Sequence, residues 1–353
     1  MAFSLNKAFQ KYFSNLFVSV VRYGGEWQIY SKVIKNGAII KKFSKVFTIT
    51  QDDGLGKEAE EYLEELYSQY NYMYISYLMD SMGQGAISGT SNVDFEKNSV
   101  DVKNITQLSI DKRWSLYASF IDINWTKNIF KNSGVDFIYS PFILLYDFIS
   151  TSKLLQQPTI YILNHEDFVA ISVFKETELL FASYFKTSTD EKLVAGDEID
   201  NWEDEDEEKG VNNLIELDRI DDDVEGFDTL EDLEDLDDLD SFDSDSQEES
   251  TFKDVDEKEK TLGHFDDENT DTDLEIYGRD LLVYKYLTSS IKEYYKNHIY
   301  KSDFVEKIVM YDGYEISPDL IDMIEGELMM DIEIHKINIG EKVCDLAIKE
   351  ARI

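Results

Sequence analysis

Residues 159–185 read TIYILNHEDFVAISVFKETELLFASYF, and this stretch decides the fold predicted for the chain. Thr159 to Leu163 is β-branched and apolar, which predicts a buried strand. Phe168 to Phe174 follows a polar turn and presents apolar side chains on both faces of a second strand. The turn Lys175 to Glu178 then leads into a third strand, Leu179 to Phe185. The pattern predicts a unit of three antiparallel strands.

The same three-strand unit is predicted near the start of the chain. Leu16 to Arg22 is apolar, Tyr23 to Glu26 is a turn, and Trp27 to Ile34 is a second strand. Asn36-Gly37 is a strong two-residue hairpin signal before a third strand, Ala38 to Phe47. Helix and strand patterns follow both units. Two copies of one plan predict a duplicated α/β fold with two lobes.

Length and composition favour a two-domain protein of a reducing compartment. The 353 residues can bury two separate cores, and only three are proline. Cys344 is the single cysteine, so no disulfide framework is expected. No apolar run approaches the roughly 20 residues of a membrane span, and the first residues lack the pattern of a signal peptide. These features predict a soluble, cytoplasmic protein.

The segment from Ala2 to Phe17 has two interpretations. It alternates Phe and Leu with Lys7 and Lys11, as an amphipathic helix on a membrane surface would. Such segments more often pack against their own domain, and that interpretation is preferred.

The net charge of −40 is concentrated in one segment. Residues 191–275 hold about 38 acidic and 6 basic residues, which leaves a net charge of about −8 for the rest of the chain. Such a segment buries too little apolar area to offset its chain entropy, so it is predicted to be disordered. The elements on its two sides complete one another. We therefore predict a first lobe at 1–150, a second lobe at 151–190 plus 276–353, and an acidic disordered insertion at 191–275.

Apolar residues recur within the acidic insertion. Acidic and hydrophobic residues alternate in many binding motifs of disordered segments, although a soluble spacer with incidental leucines remains an open alternative. A basic protein surface would bind the insertion with a fast, salt-sensitive on-rate, whereas a nucleic acid would be repelled. Deleting 191–275 is expected to leave the fold intact and to weaken such binding. The candidate partner-binding residues are Phe227, Leu230, Leu233, Leu236, Leu239 and Phe242.

Catalytic and metal-binding patterns are sparse. None of the four histidines has a partner at the spacing of metal ligands. Gly54 to Lys57 lacks the first glycine and the hydroxyl residue of a phosphate-binding loop. His165-Glu166-Asp167 is the one cluster suited to acid–base chemistry, and we interpret it instead as a solvated polar turn. No catalytic residue and no metal site is therefore predicted.

The order of elements resembles the actin-like cytoplasmic proteins of bacterial type IV pilus and type II secretion platforms, the PilM/GspL family. Val173 to Phe185 is similar to the second phosphate-side hairpin of that family, and Trp114 to Leu155 to the strand, helix and strand before it. Leu287 to Ile353 is similar to the family's final helix, adenosine-side turn, helix, strand and terminal helix. The resemblance implies an actin-like (RNase H-like) duplicated fold in two lobes.

The resemblance also implies a nucleotide pocket, and here the sequence departs from the family. An actin-like site needs an Asp-x-Gly turn after the first strand of each half, for the metal and the phosphates. The first turn has no Asp, and the second has Leu163 in its place. We therefore expect a vestigial pocket that lacks hydrolysis and bound cofactor, with ATP binding the weaker alternative, although the first turn retains groups able to touch an anion. The pocket residues are Arg22, Gly24, Gly25, His165, Asp312 and Gly313.

By resemblance, the chain would be a non-catalytic scaffold that binds the cytoplasmic tail of a membrane-anchored, PilN-like partner. The machine would be a type IV pilus, a type II secretion or DNA-uptake platform, or a flagellar motor. Attachment to the inner membrane would be peripheral and through partners. The alternatives are an actin-like ATPase switch in the same kind of machine and an unrelated α/β protein whose acidic stretch mimics nucleic acid.

Overall fold

The computed structural model describes residues 12–49, 54–152, 155–187, 267–300 and 302–351, with the backbone alone for 267–277. The six candidate partner-binding residues of the insertion lie outside these ranges. The first helix after the insertion begins at Asp267, so the predicted resumption of order near Ile276 is too late. Acidic residues suit the start of a helix because its dipole favours negative charge there.

The described residues contain thirteen strands and seven helices. The strands are β1 (Asn15–Tyr23), β2 (Glu26–Lys35), β3 (Ala38–Thr48), β4 (Tyr72–Leu78), β5 (Gln84–Ser88), β6 (Ile105–Ile110), β7 (Trp114–Ser119), β8 (Phe137–Tyr139), β9 (Thr159–Asn164), β10 (Phe168–Lys175), β11 (Glu178–Lys186), β12 (Lys307–Asp312) and β13 (Asp331–Lys336). The helices are α1 (Lys57–Gln69), α2 (Asn92–Lys97), α3 (Phe120–Ile129), α4 (Pro141–Thr151), α5 (Asp267–Lys296), α6 (Pro318–Leu328) and α7 (Ile339–Ala351).

Two five-stranded sheets repeat one topology. The first sheet has the order β3-β2-β1-β4-β8, and the second sheet has the order β11-β10-β9-β12-β13. In each sheet, three antiparallel strands form the predicted unit. The middle strand of the sheet, β1 or β9, also pairs in parallel with the next strand in the order, β4 or β12. This repeated order is that of the actin-like, RNase H-like fold, so the predicted duplicated α/β architecture is confirmed.

Helices cover both faces of the sheets and divide the core into layers. α1 packs on one face of the first sheet through Ala59, Leu63 and Leu66. α4 and α7 lie between the two sheets, because α7 contacts β1, β2 and β4 whereas α4 contacts β9, β10 and α7. α5 and α6 pack on the outer face of the second sheet.

The final helix packs against the first sheet. Ser19 Oγ donates a hydrogen bond to the carbonyl of Gly340 at 2.6 Å. Cys344 is fully buried, as predicted for a core residue, and burial raises the pKa of its thiol to about 12. The lobe boundaries drawn from the sequence place α7 in the second lobe and stay a prediction.

A small sheet of three antiparallel strands, in the order β5-β7-β6, completes the fold. Of this sheet the sequence predicts only the strand from Trp114 to Ile121, and its three glycines predict a loop from Met82 to Asn92. The loop prediction is wrong for β5, because a glycine there gives room for a neighbouring side chain. A Cβ on Gly85 would lie 2.6 Å from Tyr117 Cζ.

An ion-pair network ties α7 to the first sheet. Lys32 is almost fully buried, and its Nζ lies 2.6 Å from Asp345 Oδ1 and 2.9 Å from Glu341 Oε1. Lys42, which is opposite Lys32 in the β2–β3 register, donates to the same Glu341 oxygen at 2.6 Å. These hydrogen bonds, first that from Lys42 and then that from Lys32, lower the pKa of Glu341 to about 2.

Replacing Glu341 with glutamine should lower the stability at neutral pH and should have a smaller effect at pH 3. The carboxylate has an ordinary pKa of 4.5, so its contribution is present above that value and is lost as the pH falls towards 2. The side chain is partly exposed, and the expected loss at pH 7 is therefore about 1 kcal/mol. Urea unfolding at pH 7 and pH 3 measures it, with the exposed Glu64→Gln as control. An equal difference at both pH values would contradict the assignment.

Candidate functional site

Two hairpin turns, one from each five-stranded sheet, meet in direct contact. The backbone N–H of Gly24, in the β1–β2 turn, donates to Asp167 Oδ2, in the β9–β10 turn, at 2.8 Å. We call residues 22–24 and 164–167 the hairpin junction. It brings together the two turns in which the sequence predicts a vestigial pocket.

The backbone conformation of Gly24 disfavours a side chain at the hairpin junction. Its φ of +51° lies in the left-handed region, which favours glycine. A Cβ at this position would lie 2.7 Å from Glu166 Oε1. Both acidic side chains of the β9–β10 turn therefore face the backbone of the opposite turn.

His165 is a buried, neutral ring at the centre of the hairpin junction. It has no exposed surface, stacks on Phe168 at a centroid distance of 4.4 Å, and packs against the tilted ring of Tyr23 at 4.1 Å. Burial lowers its pKa to about 3, and the charges of Arg279 and Lys186 act in the same direction. Its Nδ1 accepts from the N–H of Asp167 at 3.1 Å, so the proton of the neutral ring is on Nε2. The interpretation as a solvated turn is wrong, because the opposite hairpin covers it.

The guanidinium of Arg279, in α5, forms hydrogen bonds with the β9–β10 turn. Its Nη2 donates to Asn164 Oδ1 at 2.7 Å and also to the carbonyl of His165, while Nε donates to the carbonyl of Glu166 at 3.1 Å. The guanidinium also lies over the ring of Tyr314, with its Cζ 4.2 Å from the ring centroid. One cation therefore fixes three consecutive residues of the turn.

Asp312 and Gly313 complete the base of the site. Asp312 Oδ1 accepts from Asn164 Nδ2 at 2.8 Å, and the carboxylate also accepts from three backbone N–H groups of the turn after β12. The N–H of Gly313 donates to the carbonyl of Asn164 at 2.9 Å. A Cβ on Gly313 would lie 2.5 Å from Ile339 Cδ1. Close packing therefore explains this glycine, and the carboxylate of Asp312 is engaged within the protein.

Arg22 faces an acidic side chain of its own lobe. Its Nη1 lies 4.0 Å from Asp80 Oδ2, and Lys186 of the second sheet lies 3.8 Å from the same oxygen. Asp80 is itself buried and accepts a hydrogen bond from Tyr77 at 2.8 Å. The basic side chain that the first turn retains is thus close to a carboxylate of the chain itself.

The structure brings together five of the six residues predicted for the pocket. Gly25 is the exception. It is exposed, and its carbonyl accepts a hydrogen bond from the N–H of Ile49, the residue after β3. Arg279, Asp80 and Lys186 also belong to the site, and no sequence motif predicts them there. Arg279 is an isolated basic residue that follows the acidic segment, and that isolation was its one available signal.

A magnesium nucleotide does not fit the residues of the hairpin junction. The N–H of Gly24, which would meet a phosphate, already donates to Asp167. Burial raises the pKa of both Glu166 and Asp167, so a phosphate brought beside them would add negative charge where it is already disfavoured. Within the described ranges, no group of three or more His, Cys, Asp or Glu side chains is placed to hold a metal ion.

Two family models match the chain. One, described as "Domain of unknown function (DUF8341)", matches residues 160–352, and the other, "Domain of unknown function (DUF8569)", matches residues 13–146. The first match spans more than half of the chain. The chain belongs to the DUF8341 family. The DUF8341 match begins in β9 and the DUF8569 match ends in α4, so each match contains one of the two repeated sheets.

Solved structures with low sequence identity are similar to this DUF8341 chain. A protein of Bacteroides thetaiotaomicron with an actin-like ATPase fold and unknown function is 11% identical, with a TM-score of 0.44 over 97% of this chain and 96% of that one. A PilM–PilN type IV pilus biogenesis complex is 10% identical, with a TM-score of 0.47 over 91% and 88%. The activator of the 2-hydroxyisocaproyl-CoA dehydratase from Clostridium difficile, with bound ADPNP, is 11% identical, with a TM-score of 0.37 over 96% of both chains. No curated protein matches the sequence.

Among the described residues, no helix has both the length and the apolar character needed to cross a membrane.

Proposed function

We propose that this chain is a non-catalytic, actin-like scaffold in a bacterial envelope machine. One observation carries the proposal: the N–H of Gly24 donates to Asp167 of the same chain, where an actin-like protein would receive a phosphate. A chain that joins its two hairpin turns through its own side chains has no need of a nucleotide to hold them together. The alternative, an actin-like ATPase switch, would need that N–H to be available.

The partner class follows from the sequence resemblance to the PilM/GspL family. The scaffold would bind the cytoplasmic tail of a membrane-anchored, PilN-like protein in a type IV pilus, type II secretion, DNA-uptake or flagellar machine. It would sit in the cytoplasm, peripheral to the inner membrane. The acidic insertion would add a salt-sensitive contact with a basic protein surface.

Titration calorimetry of the full chain with ATP or ADP and magnesium tests the non-catalytic part of the proposal. We expect no saturable heat up to millimolar nucleotide. Asp167→Ala, which frees the N–H of Gly24, should also bind none, because the metal-binding acids of an Asp-x-Gly site are absent. Micromolar binding by the unaltered chain would favour the ATPase switch. Binding by the variant alone would show that the pocket is blocked rather than lost.

Proximity labelling in the source organism tests the adaptor part. A biotin ligase fused to the chain should label a protein with one membrane span and a short cytoplasmic tail. That tail, made as a peptide, should bind the purified full chain in fluorescence anisotropy, and a scrambled peptide should not. Labelling of soluble proteins alone would contradict the proposed partner class.

A further inference from the structure

The start of the chain is basic although the chain as a whole is strongly acidic. Residues 1–49 hold eight Lys or Arg and one acidic residue, Glu26, whereas the whole chain has 34 basic and 74 acidic residues. This segment forms the first three strands of the first sheet. A local excess of positive charge on such a chain indicates an acidic partner surface.

The basic residues collect at the β2–β3 hairpin. All eight residues from Lys35 to Lys42 are exposed, and they include three lysines and no acid. Ile39 and Ile40, between those lysines, are 47% and 57% exposed. The hairpin therefore presents positive charge and exposed apolar side chains on the same surface.

Aromatic side chains are exposed at the same end of the sheet. Asn15 lies opposite Ile34 on one side and Tyr72 on the other, so β1 begins where the β2–β3 hairpin turns. Phe13 is 45% exposed and packs edge-on against Tyr72, with ring centroids 6.0 Å apart. We call residues 35–42 together with Phe13 and Tyr72 the basic tip.

Two lysines of the basic tip have no acidic partner in the described part of the chain. Within the described ranges, the ion pairs of the hairpin involve Lys32 and Lys42, which contact α7. Lys35 and Lys41 have no described carboxylate within 4.0 Å, and Lys41 lies over the ring of Phe43. Their charge is therefore available to a partner.

The acidic insertion joins the fold at the opposite end of the first sheet. The last described residue before it, Thr187, donates its N–H to the carbonyl of Asp167 at the hairpin junction, and Arg279 after it binds the same turn. The hairpin junction contacts the Tyr23 end of β1, and nine strand residues separate Tyr23 from Asn15 by about 25 Å. That distance is more than twice the Debye length of about 8 Å in physiological salt.

We infer that the basic tip docks directly on an anionic lipid surface. Lysines near such a surface are attracted to its headgroups, each by roughly 1 kcal/mol. Exposed isoleucines enter the boundary of the acyl chains, and aromatic rings sit at headgroup depth. The separation of the basic tip from the attachment points of the insertion keeps those points clear of the membrane. This contact is independent of the proposed partner, through which the scaffold would otherwise reach the membrane.

Vesicle flotation of the full chain tests the inference. We expect it to float with vesicles of phosphatidylglycerol and phosphatidylcholine in low salt, to be released by high salt, and to ignore vesicles of phosphatidylcholine alone. Lys35→Gln with Lys41→Gln should weaken binding roughly thirtyfold, at about 1 kcal/mol per lysine. Ile39→Ser with Ile40→Ser should weaken it about fivefold or more. Lys42 is left unchanged because it pairs with Glu341.

Matched controls come from the small sheet and α2. Lys97→Gln with Lys103→Gln removes two exposed lysines, and Val93→Ser with Leu108→Ser removes two exposed apolar side chains. Both pairs should bind like the unaltered chain, and thermal melts should show that all variants are folded. Failure of the full chain to float in low salt would overturn the inference. Equal binding by the tip variants and the controls would also overturn it.

Discussion

Replacing Arg279 with methionine should lower the free energy of unfolding by about 3 kcal/mol, because hydrogen bonds from a charged donor contribute about 1.5–3 kcal/mol each. The substitution keeps the apolar stem but removes the donors to Asn164, His165 and Glu166. The buried oxygens that they serve would lose a partner. Urea unfolding of the full chain, followed by tryptophan fluorescence, measures the loss.

Two variants test whether the shape of the guanidinium matters. Arg279→Lys keeps the charge, yet one ammonium group cannot reach three acceptors in a row, so its loss should be intermediate. Arg113→Met removes an exposed arginine that contacts Thr177, and surface changes of this kind cost less than about 0.5 kcal/mol. If Arg279→Met cost no more than Arg113→Met, the guanidinium would not be holding the turn.

Replacing Trp114 with alanine should cost about 3–5 kcal/mol through the cavity that it leaves. The indole is fully buried and packs edge-on against Tyr146 of α4 at 5.2 Å and Phe174 of β10 at 5.7 Å. It therefore attaches the small sheet to α4 and to β10. Urea unfolding gives the loss, and hydrogen exchange should show faster exchange in β5, β6 and β7 than in β9.

Trp114→Phe separates the role of the ring from that of the indole N–H. The Nε1 atom has no hydrogen-bond partner among the described residues, so phenylalanine keeps most of the packing and loses no polar contact. We expect a cost of about 1 kcal/mol. Equal costs for phenylalanine and alanine would argue that the ring contacts do not secure the small sheet.

The two repeated sheets could be predicted from the sequence because each has a strong local signal. β9 and β10 are buried on both faces, and their residues read as unbroken apolar runs. The turns Asn36-Gly37 and Glu176-Thr177 separate strands at the expected positions, and Asn36, Gly37 and Glu176 adopt positive φ. Periodicity and turn chemistry act over a few residues, so one chain suffices to read them.

The small sheet could not be predicted because its strands lack a continuous apolar face. β6 exposes Thr106, Gln107, Leu108 and Ser109, and β5 contains Gly85, which the sequence assigns to a loop. That glycine is needed because Tyr117 on the neighbouring strand covers it. Such a contact joins positions far apart in the chain, and no local pattern reports it.

The hairpin junction was only half predictable for the same reason. The sequence places Gly24 and His165 in corresponding turns, since the two halves repeat one plan. It gives no sign that the turns touch, so His165 reads as a solvated turn residue although it is fully buried. Arg279 lies 114 residues from His165 along the chain, and only the folded structure brings them into contact.

The packing of α7 on the first sheet means that one face of this sheet is covered late during synthesis. Cys344 contacts the carbonyl of Phe17 across 327 residues, and the carbonyl of Gly340 accepts a hydrogen bond from the hydroxyl of Ser19 across 321. The strands of the first sheet, which are translated before α7, thus bury one face only after α7 has left the ribosome. Contacts of such long range close slowly, and a nascent chain keeps this apolar face uncovered meanwhile. Chaperones that shield exposed apolar strands would therefore meet the first sheet throughout translation.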